Sequence, residues 1–534
     1  MISSFATIEA ICEGHTHRIN VQSYDLTLAE ILASAGIHLN TRCNQRGLCR
    51  GCHVTSSDAP GDLLACNYRL NPGESLKINI PGRSLLSHPP SVVSDFQTGI
   101  PVGSDPIFKT KKPLGIAVDI GTTTVALLLS ELSSGRILGK VTALNAQVSL
   151  GDNVLTRIQL CQENKSNIAV LKNAFWQKTF HPLLRDLLKQ SGTKLEEIAG
   201  LVVAANTTML HLACGVDPTP MGQVPFTPNF LEQRHFNGTD FGLPDDLSVI
   251  FLPGISAYVG ADISAGAVCC GMGYESRPCL LVDVGTNGEI LLSGPNGLLA
   301  CATAAGPAFE GCGLLCGMRA AEGVVSRIQC AVKPFEIHLE MIGGMNVIPH
   351  GITGSAYIDF LAEGRRVGLL EENGRFNREF VAAHPDRFKQ EKHGLSLILA
   401  SEHPHLRIGE VDVALLLQAK AAIAAGIETL LALQGIPASA VHQLHLAGGF
   451  GLHLSIPHAI NCGLLPGFCA DQISAVGNTS LGGAYLALVD CSLAAEMDDL
   501  RRQVSTIELN LDPHFEDRYL DHLSLPCPCV PSMN

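Results

Sequence analysis

The sequence predicts an α/β protein of several domains: a small strand-rich N-terminal domain, a tether, and a large two-lobed domain built on a repeated strand-turn-strand unit. Three observations predict it. Residues 1–81 alternate short strand-like segments with one amphipathic helix around a set of cysteines. Residues 82–112 lose all periodicity and are rich in Pro, Ser and Gly. Downstream, residues 115–130 align with residues 280–293 as two copies of one motif.

The N-terminal domain follows a β-grasp pattern. Residues 5–11 and 16–21 read as an antiparallel pair turning at Glu13-Gly14. Asp25 or Thr27 caps a helix over 28–35, which Gly36 ends. Alternating apolar residues at 76–80 then close the sheet. Between helix and final strand lie Cys43, Cys49, Cys52 and Cys66, spaced C-x5-C-x2-C-x13-C. A 2Fe-2S cluster needs thiolates gathered in one turn and another returning from a neighbouring strand. The spacing is that of plant-type ferredoxins widened by one residue in the first gap. A zinc ribbon would pair two C-x2-C knuckles, and only one is present. The short last gap leaves room for a single hairpin through Pro60-Gly61. Arg42, Arg46 and Arg50 lie in the cysteine loop, either as solvated charge or as a docking face for an acidic partner.

Composition narrows the class. A net charge of −14 argues against general nucleic-acid binding. Acidic and basic residues balance within residues 1–90, so the excess acid lies downstream. The first residues carry no basic-then-apolar signal. The charge-free stretch 290–309 is broken by Gly294-Pro295-Asn296-Gly297 and Gly306-Pro307, so it reads as strand, turn, strand and loop rather than a membrane span. The cysteines outside the comb are scattered in apolar runs, as reduced structural thiols are. These features predict a cytoplasmic protein with no membrane contact. The tether, with Pro89-Pro90, Pro101 and Pro106, is either a flexible linker long enough to let a carrier domain swing or a segment docked along the surface.

The two lobes are expected over 113–278 and 279–534. In the first copy a buried strand ends at Asp119, and Gly121, Thr122, Thr123 and Thr124 form the turn. In the second, Asp283 is followed by Gly285, Thr286 and Asn287. Further strands are expected near 137–142 and 298–302, and a long apolar helix over 413–433, with Asp412 to cap it and Gly435 to end it. Turn amides and hydroxyls cradle phosphate oxygens, while an aspartate at a strand end holds Mg²⁺ or its waters. Two copies imply a cleft between pseudo-symmetric halves that takes a nucleotide. The apolar strand running into Gly448-Gly449 lets the backbone approach a nucleoside, unless it is a plain strand-to-helix turn. Glu289 and Glu310 follow glycine-rich turns, where a carboxylate either orients the attacking water or caps the surface. Lys420, on an apolar helix, is read as a nucleotide contact or an internal salt bridge. His211 reads as a core histidine before a corrin contact.

The paired phosphate turns and Ala447-Gly448-Gly449-Phe450-Gly451 resemble the ATP-binding fold shared by acetate and sugar kinases, Hsp70 and actin (ASKHA), a duplicated ribonuclease-H-like domain. The similarity is closer to one branch, the RACo-like or RamA-like reductive activators of corrinoid proteins. Asn145-Ala146-Gln147 with Gly151-Asp152, Asn206-Thr207-Thr208-Met209, Val259-Gly260-Ala261-Asp262, Ala304–Gly311, Gly354-Ser355 with Asp359, and Gly477-Asn478 carry it. The resemblance implies an enzyme that returns a stalled Co(II) corrinoid protein of a methyltransferase system to Co(I), using one 2Fe-2S cluster, Mg-ATP and an upstream low-potential donor, and working as a homodimer. Plant-type clusters sit near about −400 mV. Each ~59 mV of a one-electron gap is about 1.4 kcal/mol, so an acceptor of lower potential needs coupling, which ATP-driven closure would supply. Such activators often carry a middle domain, and only the tether stands in its expected place. Rival readings are a small-molecule kinase with a fused redox-sensing ferredoxin domain, a dehydratase-type activator, which the four-cysteine comb disfavours, and a non-catalytic corrinoid chaperone.

Overall fold

The protein is represented by a computed structural model. It describes residues 6–527 apart from 13–14, 22, 38, 40–51, 57–61, 81–83, 85–91, 94–95, 104, 152, 275, 286, 312, 319, 321–322, 345–348 and 350. The chain forms two compact units. The first comprises residues 1–276 with 478–503, and the second 277–477 with 504–534.

The first unit opens with a five-stranded sheet in the order β2-β1-β5-β3-β4, where β1 is Thr7–Cys12, β2 His15–Asn20, β3 His53–Ser56, β4 Asp62–Leu64 and β5 Ser75–Ile80. β1 runs parallel to β5 and antiparallel to β2. β1 and β5 alternate inward and outward, so Ile8, Ala10, Leu76 and Ile78 meet Leu28, Ile31 and Leu32 of the helix Leu28–Ser34 in one small core. That helix starts where Thr27 and Glu30 cap one another, Glu30 N–H donating to Thr27 Oγ1 and Thr27 N–H to Glu30 Oε2.

The tether is not free along its length. After a short hairpin of β6 (Val92–Val93) and β7 (Phe96–Gln97), the side chains of Phe96, Ile100, Val102 and Phe108 are buried in the main core of the first unit. Gly99 N–H donates to the Cys269 carbonyl and Ile107 N–H to that of Leu488. Of the two readings of the 82–112 linker, the docked one holds at Phe96, Ile100, Val102 and Phe108, because these four apolar side chains find a core.

The main sheet of this unit comprises β8 (Leu114–Ile120), β9 (Thr124–Glu131), β10 (Ile137–Leu144), β11 (Ile198–Ala205), β12 (Arg234–Asn237) and β13 (Ser248–Phe251), in the order β10-β9-β8-β11-β13-β12. β8 pairs antiparallel with β9 and parallel with β11, which continues parallel to β13. All eight residues of β11 are buried, the continuous apolar run expected of a parallel strand covered on both faces. The helices Thr479–Val489 and Cys491–Gln503 belong to this unit, although sequence order alone leaves them with the second lobe. Helix Thr479–Val489, buried all round, lies against helix Ala261–Cys269.

In the second unit β14 (Cys279–Val284), β15 (Gly288–Gly294) and β16 (Gly297–Thr303) form the expected strand-turn-strand run. β17 (Val324–Val332), β18 (Phe335–Met341) and β19 (Gly351–Ile352) make a side sheet, as do β20 (Phe388–Glu391), β21 (Gly394–Ile398) and β22 (Arg407–Gly409). β23 (Gln443–Ala447), β24 (Ile473–Gly477) and β25 (Val504–Thr506) complete the main sheet, with the order β25-β16-β15-β14-β23-β24. β14 pairs antiparallel with β15 and parallel with β23, and β23 parallel with β24. The order and sense match those of β10-β9-β8-β11-β13. Among the described residues one helix, Glu410–Gln434, is long and apolar enough to cross a membrane, and 78% of its most apolar window is buried inside the protein. Its first turn is held by Asp412, which accepts the N–H groups of Gly409 and Leu315, and Gly435 caps its end.

Candidate functional site

Two of the four comb cysteines are described, and one hairpin brings them together. Cys52 immediately precedes β3 and Cys66 closely follows β4, with Ala65 N–H donating to the Cys52 carbonyl at 3.1 Å. The Cys66 N–H donates to Cys52 Sγ at 3.4 Å, and both residues are buried. The helix Leu28–Ser34 steadies this turn, since the N–H groups of Leu28 and Ala29 bond the carbonyls of Tyr68 and Ala65. Buried sulfur facing a backbone donor suits a thiolate that ligates an iron–sulfur cluster, whose potential such bonds tune. Cys43, Cys49 and the arginines at 42, 46 and 50 lie outside the described residues. Among the described residues no three His, Cys, Asp or Glu side chains converge on a metal position.

In the first unit Asp119 stands one residue from the end of β8, at the carboxyl ends of parallel strands, where open α/β sheets bind ligands. Its Oδ2 accepts Asn478 Nδ2 at 2.8 Å and its Oδ1 accepts Ser480 Oγ at 2.7 Å. Burial pushes its carboxyl above the usual range despite those two donors. Asp262, in the first turn of helix Ala261–Cys269, is pushed up to about 7 by burial and by the Asp119 charge. A carboxylate whose pKa is raised by burial and by a neighbouring carboxylate is poised to exchange a proton for a divalent cation. Mg²⁺ needs only one or two carboxylates, with waters and phosphate completing its shell.

The turn after Asp119 is held from behind. Arg157, fully buried, donates Nη2 to the Thr122 carbonyl at 2.6 Å, Nε to that of Gly151 at 2.9 Å and Nη1 to Gln147 Oε1 at 3.0 Å. Asn145 Nδ2 donates to the Gly121 carbonyl, and Asn206 Nδ2 to Thr122 Oγ1, both at 3.0 Å. Thr123 takes Asn145 N–H on its carbonyl and Thr124 is exposed. The shape of the turn thus depends on Asn145, Gln147, Gly151 and Asn206, which gives those sequence segments a physical task.

In the second unit Asp283 and Glu289 are register partners across β14 and β15, so both carboxylates stand on one face. Gly285 N–H donates to the Asn287 carbonyl at 2.9 Å and closes the turn. Gly448 lies against the Asp283 carboxylate, and Phe450 stacks on Phe309 at 5.1 Å, which joins the glycine pair to the Ala304–Gly311 segment. Thr286 and the Glu310 side chain lie outside the described residues.

Lys420 is placed elsewhere. Its ammonium is buried and donates to the carbonyls of His522 at 2.6 Å and Ser524 at 2.9 Å, clasping the end of helix Phe515–Asp521. His211 is a core residue, with Nδ1 bonding the Thr207 carbonyl, Nε2 accepting Asn229 N–H, and its ring stacked on Phe230. Burial holds its pKa down near about 4, so the ring is neutral. Asp262 and Asn478 stand in segments that carry the resemblance without a role of their own there, while no sequence motif points to Arg157 or Ser480.

Residues 114–275 match the family described as the RACo middle region, and residues 277–532 match the C-terminal domain of RACo, the ASKHA domain. The middle domain expected to be missing is thus present: it is the stretch taken from sequence as the first ATPase lobe. The corrinoid activation enzyme RamQ of Eubacterium limosum is 27% identical over 93% of this chain and 96% of its own. A Co(II) methylated amine-specific corrinoid protein reductase of Methanosarcina barkeri is 24% identical over 77% of this chain and 76% of its own. The solved structure of a reductive activator for corrinoid,iron-sulfur protein superposes with a TM-score of 0.72 at 28% identity, covering 97% of this chain and 98% of that one.

Proposed function

The chain belongs to the RACo family through two adjoining domains, and from that premise we propose that it is an ATP-dependent reductive activator of a corrinoid protein. One electron passes to the inactive Co(II) corrinoid of a methyltransferase system, giving Co(I), while ATP and water become ADP and phosphate. The observation that carries the reading is similarity to a corrinoid activation enzyme over nearly the whole of both chains. Cys43, Cys49, Cys52 and Cys66 would hold a 2Fe-2S cluster in an N-terminal β-grasp ferredoxin domain. The Cys52–Cys66 hairpin with its N–H···S bond supports that ligand set. When bound, the cluster supplies a low-potential one-electron carrier, loaded by an upstream donor.

The shared strand order supports a duplicated, ribonuclease-H-like ATPase with the middle region as its first lobe. Asp119 with Asp262, and Asp283, organise Mg²⁺. Gly121, Thr122, Thr123, Thr124, Gly285, Thr286 and Asn287 hold phosphate, and Gly448-Gly449 receives the nucleoside. Glu289 or Glu310 orients the attacking water. Lys420 is left out of the nucleotide set, because its ammonium is engaged by two carbonyls. The working form is a cytoplasmic homodimer.

The test mixes the reduced protein, Mg-ATP and a Co(II) corrinoid protein and follows the visible band of Co(I). Co(I) that forms only with ATP and reductant present supports the reading. Phosphorylation of a metabolite with no Co(I) from any corrinoid partner would sink it.

A further inference from the structure

Asp119 has both carboxylate oxygens committed to residues 359 and 361 positions away, Asn478 and Ser480. The two donors come from one helical turn. Asn478 is the N-cap of helix Thr479–Val489, and its Oδ1 accepts Leu481 N–H at 2.9 Å while its Nδ2 reaches Asp119. One amide thus performs two tasks, and only the first is needed to start a helix. Ser480 makes the point more strongly. A serine hydroxyl within a helix ordinarily turns back to a carbonyl of its own backbone, but this buried one donates to the Asp119 carboxylate instead. Donors on both oxygens fix the plane of the carboxylate and leave its outer lone pairs free to take a ligand.

We infer that Asn478 and Ser480 are positioning residues that orient Asp119 for the divalent cation of a bound Mg-nucleotide. The inference rests on the nucleotide reading above and adds the residues that prepare the metal ligand before metal arrives. A carboxylate fixed in advance loses less rotamer freedom when the cation binds. The effect is therefore specific to metal: removing a donor weakens Mg²⁺-dependent binding and leaves metal-free nucleotide binding alone.

The experiment uses the full-length protein and a fluorescent ATP analogue. Binding is titrated with Mg²⁺, and in parallel measured in EDTA. Ser480→Ala is expected to need about tenfold more Mg²⁺, the value of one lost bond to a charged group. Its affinity in EDTA should stay unchanged, and Ser480→Thr should restore the Mg²⁺ midpoint. Asn478→Ser keeps a capping oxygen but lacks the amide donor, so it provides a second, independently folded variant with the same expected shift. An unmoved Mg²⁺ midpoint in folded Ser480→Ala and Asn478→Ser, or an equal loss in both arms, overturns the inference alone. Absence of Mg²⁺-dependent binding by the unaltered protein overturns the nucleotide reading and the inference together.

Discussion

A side chain on Gly483 would put its Cβ 2.2 Å from the carbonyl oxygen of Ala265. The helices Thr479–Val489 and Ala261–Cys269 therefore touch backbone to backbone at this crossing, and only glycine fits. The same two helices carry Ser480, which bonds Asp119, and Asp262, which feels the Asp119 charge. Gly483→Ala should lower stability by about 1–3 kcal/mol, the usual cost of overpacking a tight contact. The matched control is Gly273→Ala, where a Cβ meets nothing within 4 Å. It should stay within about 0.5 kcal/mol of the unaltered protein. Urea unfolding of both variants checks the pair, and equal midpoints would show that the crossing can relax.

The second unit should lose stability between neutral and alkaline pH. His458 Nδ1 lies 2.7 Å from Asp359 Oδ1, and its Nε2 lies 3.5 Å from Glu363 Oε1. These two carboxylates raise its pKa to about 9 from 6.5. A base raised on folding stabilises fully below its unfolded value, here near 6.5, and the contribution is lost as pH rises through 9. The difference of 9 − 6.5 corresponds to at most about 3 kcal/mol. His458→Gln should flatten that decline, read as urea midpoints at pH 6 and pH 9.

How much of this was legible in the sequence depended on distance along the chain. The helix at 28–34 was readable because Thr27 and Glu30 cap it three residues apart. The strand pair at 288–303 was readable from its turn glycines and apolar alternation. The partners of Asp119 were not, since Asn478 is 359 residues away and serves an ordinary helix cap as well. The docking of residues 96–108 was hidden for another reason. Phe96, Ile100, Val102 and Phe108 keep no single helical or strand period, so burial there leaves no periodic trace. Four large apolar residues in a proline-rich stretch were the sign of a packed segment rather than a free one.

Electron transfer and nucleotide binding should separate by mutation. Cys49→Ser and Cys66→Ser should each abolish the visible and paramagnetic signature of the reconstituted cluster, and Co(I) formation with it. Nucleotide affinity should stay within about twofold, because the N-terminal sheet has a core of its own. Retention of a full cluster signal in Cys66→Ser would remove that cysteine from the ligand set.

The glycine pair at 448–449 permits a sharper test, because its members differ in backbone conformation and in surroundings. Gly448 has φ of +88°, and a Cβ there would lie 2.6 Å from the Val284 carbonyl oxygen and 2.7 Å from Asp283 Oδ1. Gly448→Ala therefore carries left-handed strain of about 1 kcal/mol or more and presses on the very carboxylate assigned to the metal. Gly449 is adjacent, but a Cβ on it meets nothing within 4 Å. Gly449→Ala should leave unfolding unchanged and affect nucleotide affinity only if a nucleoside approaches that backbone. Gly448→Ala should lower both stability and Mg-nucleotide affinity, the latter by about tenfold or more if Asp283 is displaced. Isothermal titration with Mg-ADP beside thermal unfolding resolves the four values. A Gly449→Ala protein that is fully stable yet binds poorly would place the nucleoside against this loop, whereas normal binding by both variants would remove the glycine pair from the site.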